Sequence, residues 1–369
     1  DEENYGIWSD IITFVINRSE DNTNTTDSDN KNNDDSDESI FYNQISIPTT
    51  YNGKLITCIG NFSNCRNLIN LIIPEGITTI DPYAFNQCRN LISVSLPRTL
   101  KFIGEGAFYG CTKLVEIINE SSLNIEKGSY EYGSIGDSAL NIKRSGASEI
   151  VYIDDFAFYT YNNVNYLLAY SGKNSNISLP NSFNNSNYEV YKHTFYECFN
   201  LTDIHIPDSV TAIGEGVFME CENLTSATIG NNVKSISLGM FYNCKNLTKA
   251  IIGNKIEAIG PGAFANCSRL ENIIIPNSVT VIDEEAFIGC CNLTSIIIPD
   301  SITYIGDRAF ENCVKLVEVI NNSNLNITKG NYEYGCIGEY ALSVKNGGTT
   351  DIVNKNDFLF YTYNNIHYL

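Results

Sequence analysis

Thiols are the reactive groups this chain carries in number: twelve cysteines stand beside only three histidines in 369 residues. Cysteines can hold zinc, close disulfides or, next to a base, act as nucleophiles. The spacing argues against each use. No C-x2-C pair and no neighbouring histidine pair occurs, as a zinc site would need. His193, His205 and His367 are scattered, and no nucleophile adjoins His205. No G-x-S-x-G, H-E-x-x-H or Walker pattern is present. Gly104-Glu105-Gly106 and Gly214-Glu215-Gly216 resemble fragments of phosphate loops, but they recur at one place in a repeat and open no helix. Counting from Asp27, Asp29, Asp35 and Glu38 fall at calcium-loop positions 3, 9 and 12, yet Lys31 takes a ligand position and Asn32 replaces the turn glycine. That run reads as a solvated acidic stretch. The expectation is a non-enzymatic chain with no catalytic residue, cofactor or metal site.

Nine cysteines instead mark a ruler. Cys65, Cys88 and Cys111 are 23 residues apart, and so are Cys198, Cys221, Cys244, Cys267, Cys290 and Cys313. The residues between them repeat as C-x2-L-x2-I-x-I-[PG]-x2-[VIL]-x2-I-[GDS]-x2-[AVM]-F-x2-C. A sustained period within about 20–50 residues signals a solenoid, which displaces the two or three globular domains that length alone would suggest. In each unit Leu-x-x-Ile-x-Ile alternates, which predicts a strand with one buried face. Pro74, Pro97, Pro207, Pro276 and Pro299 stop it, with Gly230 and Gly253 taking that place in two rungs. Gly104, Gly214, Gly260 and Gly306 exchange with Asp81 and Asp283, which suggests a left-handed or bridge backbone there. Ala-Phe-x-x-Cys-x-x-Leu has i, i+3, i+4 spacing, so a short helical turn is expected opposite the strand. Stacked rungs lie about 4.8 Å apart with parallel side chains, unsuited to disulfide torsions, so the periodic cysteines are expected to be buried free thiols. Cys291 stands in a column of polar residues and is expected to be exposed and readily labelled.

These motifs resemble the BspA-like leucine-rich repeats, a 23-residue class of bacterial and protist surface proteins, over roughly residues 41–118 and 177–320. The resemblance implies an α/β repeat solenoid with a parallel sheet on one face. It also implies a cell-surface or secreted protein with a binding or adhesion role.

A longer repeat is superimposed. Val115–Leu167 recurs without a gap at Val317–Leu369, displaced by 202 residues, which is not a multiple of 23. It reads as an insertion in the solenoid. Its aromatic runs around Asn162-Asn163 predict a β-hairpin, because asparagine tolerates the positive φ of a tight turn. The organisation expected is an acidic segment over 1–39, partly disordered and holding a degenerate cap, and a first repeat block over 40–118. An aromatic-rich insertion with a β-hairpin over 119–176, a second block over 177–320 and a truncated second insertion over 321–369 follow. Ending inside a hairpin suggests a piece of a longer array.

Net charge is −20, with 43 acidic against 23 basic side chains, and the basic footprint needed for nucleic acid is missing. No apolar run reaches the ~18 residues that span a bilayer, so no membrane insertion is expected of this stretch. The 13 N-x-[ST] sequons are no more than 49 asparagines supply by chance. Partner binding therefore falls to the open faces. Lys249, Asn272, Ser295 and the stripe Ile251, Ile274, Ile297 and Ile320 are expected to point outward from successive strands. Such a stripe either suits stacked β-branched residues or marks the surface for a protein ligand, from host, matrix or another cell surface. Tyr159, Tyr161, Tyr166 and Tyr170 of the hairpin could contact a glycan or cover the solenoid. The reading is non-catalytic adhesion through the sheet face; a structural spacer or surface-layer component, and glycan binding through the hairpin tyrosines, are the alternatives.

Overall fold

The computed structural model describes residues 44–348, 352–355, 358–363 and 366–368. The calcium-like run and the acidic N-terminal segment lie outside them. The chain forms two compact units, Asp1–Ile150 and Val151–Leu369.

In the first unit, alternating apolar residues form a parallel ladder of strands Gln44–Ser46, Asn70–Ile72, Ser93–Leu96, Glu116–Asn119 and Asn141–Lys143. Leu71, Val94 and Ile117 stand in register and are buried to 1% exposure or less, so each rung closes the core of the next. The last strand, Asn141–Lys143, pairs with Glu116–Ile118 and adds a rung of unequal length. A second parallel ladder, Cys58–Ile59, Thr79–Ile80 and Phe102–Ile103, runs along another side of the coil.

The expected helical turn is replaced by a third ladder. Alternate amides bond within the rung, as Ala84 N–H to Asp81 O (3.2 Å), Asn86 to Tyr83 (3.1 Å) and Cys88 to Phe85 (3.2 Å). Those between reach the next rung: Tyr83 to Glu105 O (3.0 Å), Phe85 to Ala107 O (2.8 Å) and Gln87 to Tyr109 O (2.8 Å). Ala84, Phe85, Cys88 and Leu91 are buried as a helix stripe would be, but their backbone stacks rather than coils. The fold is thus a β-solenoid of 23-residue repeats with almost no helix among the described residues. The one helical segment among the described residues, Glu131–Ser134, is itself bent through left-handed Tyr132 (φ 47°) and Gly133 (φ 66°).

Left-handed backbone falls two residues beyond the predicted place, at Tyr83, Gly106, His193, Gly216, Glu285 and Arg308 among others. Gly104, Gly214, Gly260 and Gly306 serve a different need. A Cβ on Gly104 would stand 2.3 Å from the Pro82 amide nitrogen, and one on Gly306 2.4 Å from that of Glu284. Glycine is required there by close approach to the preceding rung.

The second unit opens on the predicted hairpin, Phe156–Tyr161 and Val164–Tyr170, turning at Asn162 (φ 49°) and Asn163 (φ 63°). Its second strand continues in parallel into Tyr188–Val190 and then Val210–Ile213. First-face strands Asn176–Ser178, Asp203–Ile206, Ser226–Ile229 and Lys249–Ile251 form one ladder, and Ser295–Ile298, Glu318–Asn321 and Ser343–Lys345 another. Between them the rung at 271–275 has no strand hydrogen-bonding pattern. Phe195, Phe218, Phe241, Phe264, Phe287 and Phe310 stack in one column with centroids 5.2–5.4 Å apart.

Candidate binding surface

Seven of the nine periodic thiols go inward; Cys65 and Cys198, at the first rung of each block, are half-buried instead. Cys88, Cys111, Cys221, Cys244, Cys267, Cys290 and Cys313 are buried, and each Sγ donates to the phenylalanine carbonyl of the preceding rung at 3.0–3.2 Å. Burial pushes the Cys244, Cys267 and Cys290 thiols well up and Cys313 to about 12. The ladder is a packing device whose one polar hydrogen is satisfied. Cys291 is half-buried rather than exposed, because its thiol turns back to Gly289 O at 3.3 Å.

The sheet face treats the expected stripe unevenly. Ile274 is 83% exposed, and its neighbours Ile251 and Ile297 are 45% and 44% exposed. Lys249 and Asn272 are exposed beside them, and Ser295 is half-buried. Ile274 stands on the rung that lacks strand pairing. Ile320 departs from the expectation: it is fully buried. Its counterpart in the 202-residue repeat, Ile118, is also buried, and the adjoining carboxylates Glu116 and Glu318 are both at 0% exposure.

The first copy shows how this end of the face is closed. The loop after Asn141–Lys143 folds back so that Ser148 Oγ donates to Glu116 Oε2 (2.5 Å) and the Glu149 amide to Oε1 (3.1 Å). Lys143 Nζ sits 3.0 Å from Oε1. Burial works against the Lys143 charge, but hydrogen bonds to Glu116 and Glu149 outweigh it and raise its pKa. Lys345 meets Glu318 in the same manner at 2.7 Å. Glu116 and Glu318 stand in the same outward-alternating column as Lys249, Asn272 and Ser295, yet both are buried. The matched lysines 27 residues on were the available signal that these carboxylates are clamped.

The hairpin tyrosines are divided. Tyr159 is fully buried, Tyr161, Tyr166 and Tyr170 are half-buried, and Tyr170 lies against Phe156 (5.1 Å) and Phe195 (5.9 Å). Tyr166 meets Tyr191 edge-on at 5.7 Å. They therefore act first as the end of the aromatic core. Burial pushes the Tyr166 and Tyr170 hydroxyls upward. Sequence reasoning passed over a second aromatic group: Tyr83, Phe102, Tyr109 and Tyr130 of the first unit, each 53–73% exposed around a cavity of about 620 Å³. These side chains stand at variable positions of the repeat, where periodicity is silent.

Among the described residues no group of three or more His, Cys, Asp or Glu is placed to hold a metal, and no helix is long and apolar enough to cross a membrane.

A family model, the BspA type leucine rich repeat region in six copies, matches residues 57–189 and 188–317. A search of curated proteins returns no significant match. Among solved structures the chain is similar to a leucine-rich repeat protein of T. pallidum, with 24% identity over 51% of this chain and 92% of that one and a TM-score of 0.45. It is also similar to a leucine-rich repeat protein of Bacteroides ovatus (24% identity, 75% and 86% covered, TM-score 0.39). The pneumococcal vaccine antigen PcpA is a third (14% identity, 77% and 79% covered, TM-score 0.35).

Proposed function

The chain belongs to the BspA-type leucine-rich repeat family, and on that premise we propose that it is a non-catalytic, surface or secreted binding protein that holds a protein ligand on the sheet face of its second unit. One observation carries the reading: Ile274, 83% exposed between half-exposed Ile251 and Ile297. A large aliphatic side chain left in water between two half-exposed ones is the chemistry of a contact surface. Lys249, Asn272 and Ser295 supply polar contacts at its border. Because Ile251 and Ile297 are already half covered, burying what the three isoleucines still expose gains roughly 2.5–5 kcal/mol gross, against an association cost of about 4–15 kcal/mol. Binding through this patch is weak per molecule and gains strength from multivalent display.

The test is adsorption of the purified chain to immobilised matrix proteins and to host cells, beside Ile274→Asp. The variant is expected to lose at least tenfold in binding with an unchanged melting temperature, since Ile274 contributes little to the core. Absence of any protein or cell ligand favours the spacer reading. Binding confined to a glycan array and lost with Tyr161→Ala or Tyr166→Ala favours the hairpin.

A further inference from the structure

The aromatic groove of the first unit is independent of the isoleucine patch. Tyr83, Phe102, Tyr109 and Tyr130 are 53%, 55%, 55% and 73% exposed, with Glu105 and Tyr132 completing the lining. Among the described residues, none of the four exposed rings stacks on another aromatic, unlike the buried phenylalanine column. The fold places them closely. Tyr83 occupies a left-handed position (φ 57°), and its ring lies over Gly106, where a Cβ would stand 2.5 Å from ring atom Cε1.

The displacement of 202 residues that relates Val115–Leu167 to Val317–Leu369 also aligns the rungs just before that repeat, Cys88 with Cys290 and Cys111 with Cys313. It supplies an internal comparison, because the second unit builds the same left-handed turns with different side chains. Glu285 replaces Tyr83, Arg308 replaces Gly106, Glu311 replaces Tyr109 and Asp307 replaces Glu105, while Tyr304 and Tyr332 remain aromatic. There Arg308 Nη1 pairs with Glu285 Oε1 at 2.6 Å and its Nε with Glu311. Two conclusions follow. The scaffold does not need exposed rings at these positions, since the second unit forms the same turns with charged side chains. The second version also carries its own guanidinium between its acidic groups, whereas the first presents ring faces and one carboxylate, with no basic side chain lining the groove among the described residues.

Ring faces carry the negative lobe of the aromatic quadrupole and attract cations, guanidinium most readily because its plane can stack. We propose that this groove docks an arginine-bearing segment of a protein partner, its guanidinium stacked on Tyr83 and Tyr109 and paired with Glu105. The role that Arg308 fills internally in one unit is left for a ligand in the other.

The probe is a fluorescent peptide alternating glycine and arginine, followed by anisotropy at physiological salt. Controls are the lysine and glutamate analogues, a proline decamer and maltohexaose. The arginine peptide is expected to bind best. Tyr83→Ala with Tyr109→Ala should weaken it about tenfold without changing the charge of the protein, and Tyr109→Phe should retain it. The triple change Tyr83→Glu, Gly106→Arg and Tyr109→Glu transplants the second unit's ion pairs. It makes the protein more acidic, yet it should abolish binding. Affinity that survives loss of the rings, or rises in the triple variant, would mean that the net charge of −20 alone attracts the peptide and would overturn the proposal. Tighter binding of the proline decamer or of maltohexaose would overturn it equally.

Discussion

A buried thiol in this chain is a small apolar side chain with one weak donor, and the solenoid keeps it protonated. Cys244, Cys267, Cys290 and Cys313 have their ionisation pushed up, burial being the largest cause. In the unfolded chain the same groups ionise near the ordinary value of 9.0. Below that pH both states hold their protons and the thiols leave stability unaffected by pH. Above it the unfolded state releases protons that the folded state retains, so unfolding is favoured up to the folded value, about 12 for Cys313. Each such thiol should cost about 1.4 kcal/mol per pH unit in that window. Urea unfolding followed from pH 8 to pH 10.5 should show stability falling in wild type. Cys267→Ala should flatten the slope by about one thiol's share, and an unchanged slope would mean that Cys267 titrates normally in the folded chain. The residues also explain what alternation could not show. Ile320 and Ile274 have the same place in the repeat, and their opposite fates, 0% and 83% exposed, depend on what packs over each rung rather than on the residue itself.

At the scale of one element, the segment Tyr130-Glu131-Tyr132-Gly133 closes the third ladder of the first unit. Phe108 N–H, which elsewhere would reach the following 23-residue rung, donates to Gly133 O at 2.8 Å, and Phe310 does so to Gly335 O at 2.7 Å. Gly133 combines φ +66° with contact so close that a Cβ would meet Gly104 O at 2.5 Å and Ala107 N at 2.7 Å. Gly133→Ala should therefore expose the Phe108 amide to fast hydrogen exchange and cost well over the ~1 kcal/mol of a glycine replaced in open space. Gly128→Ala, at φ +72° with nothing within 4 Å, is the control expected to cost about that amount and to leave Phe108 protected. Elements also mark how far the sequence could be read. The strands, their proline stops and the Asn162-Asn163 hairpin were legible because period-two alternation and turn chemistry each imply one geometry. The back of the rung was misread as helical because Ala84, Phe85, Cys88 and Leu91 bury identically in a helix and in a stacked turn; only the destination of the Phe85 amide separates them. The aromatic groove was not legible as a site, since Tyr83 and Tyr109 occupy positions that the repeat leaves free.

For the whole molecule, the charge that looked dominant in the composition is unevenly placed: residues 1–39 carry 12 acidic and 2 basic side chains, half of the net −20. The repeat region is only mildly acidic, and its stability rests on contacts between neighbouring rungs. In the second unit Phe264 stacks on Phe241 at 5.2 Å and on Phe287 at 5.3 Å, and among the described residues on no other ring. A solenoid built this way distributes a defect by distance along the stack, whereas a globular core shares it. Phe264→Ala should remove about 3–5 kcal/mol from the rungs that hold it. Hydrogen exchange read by mass spectrometry should show peptides spanning 239–290 losing most protection. Those around the hairpin and first rungs of the same unit, 156–206, should change little. Uniform loss of protection across 156–345 would show the unit unfolding as a single cooperative body, and the nearest-neighbour account would then fail. The same gradient, measured outward from Phe264, would give the distance over which one rung steadies another.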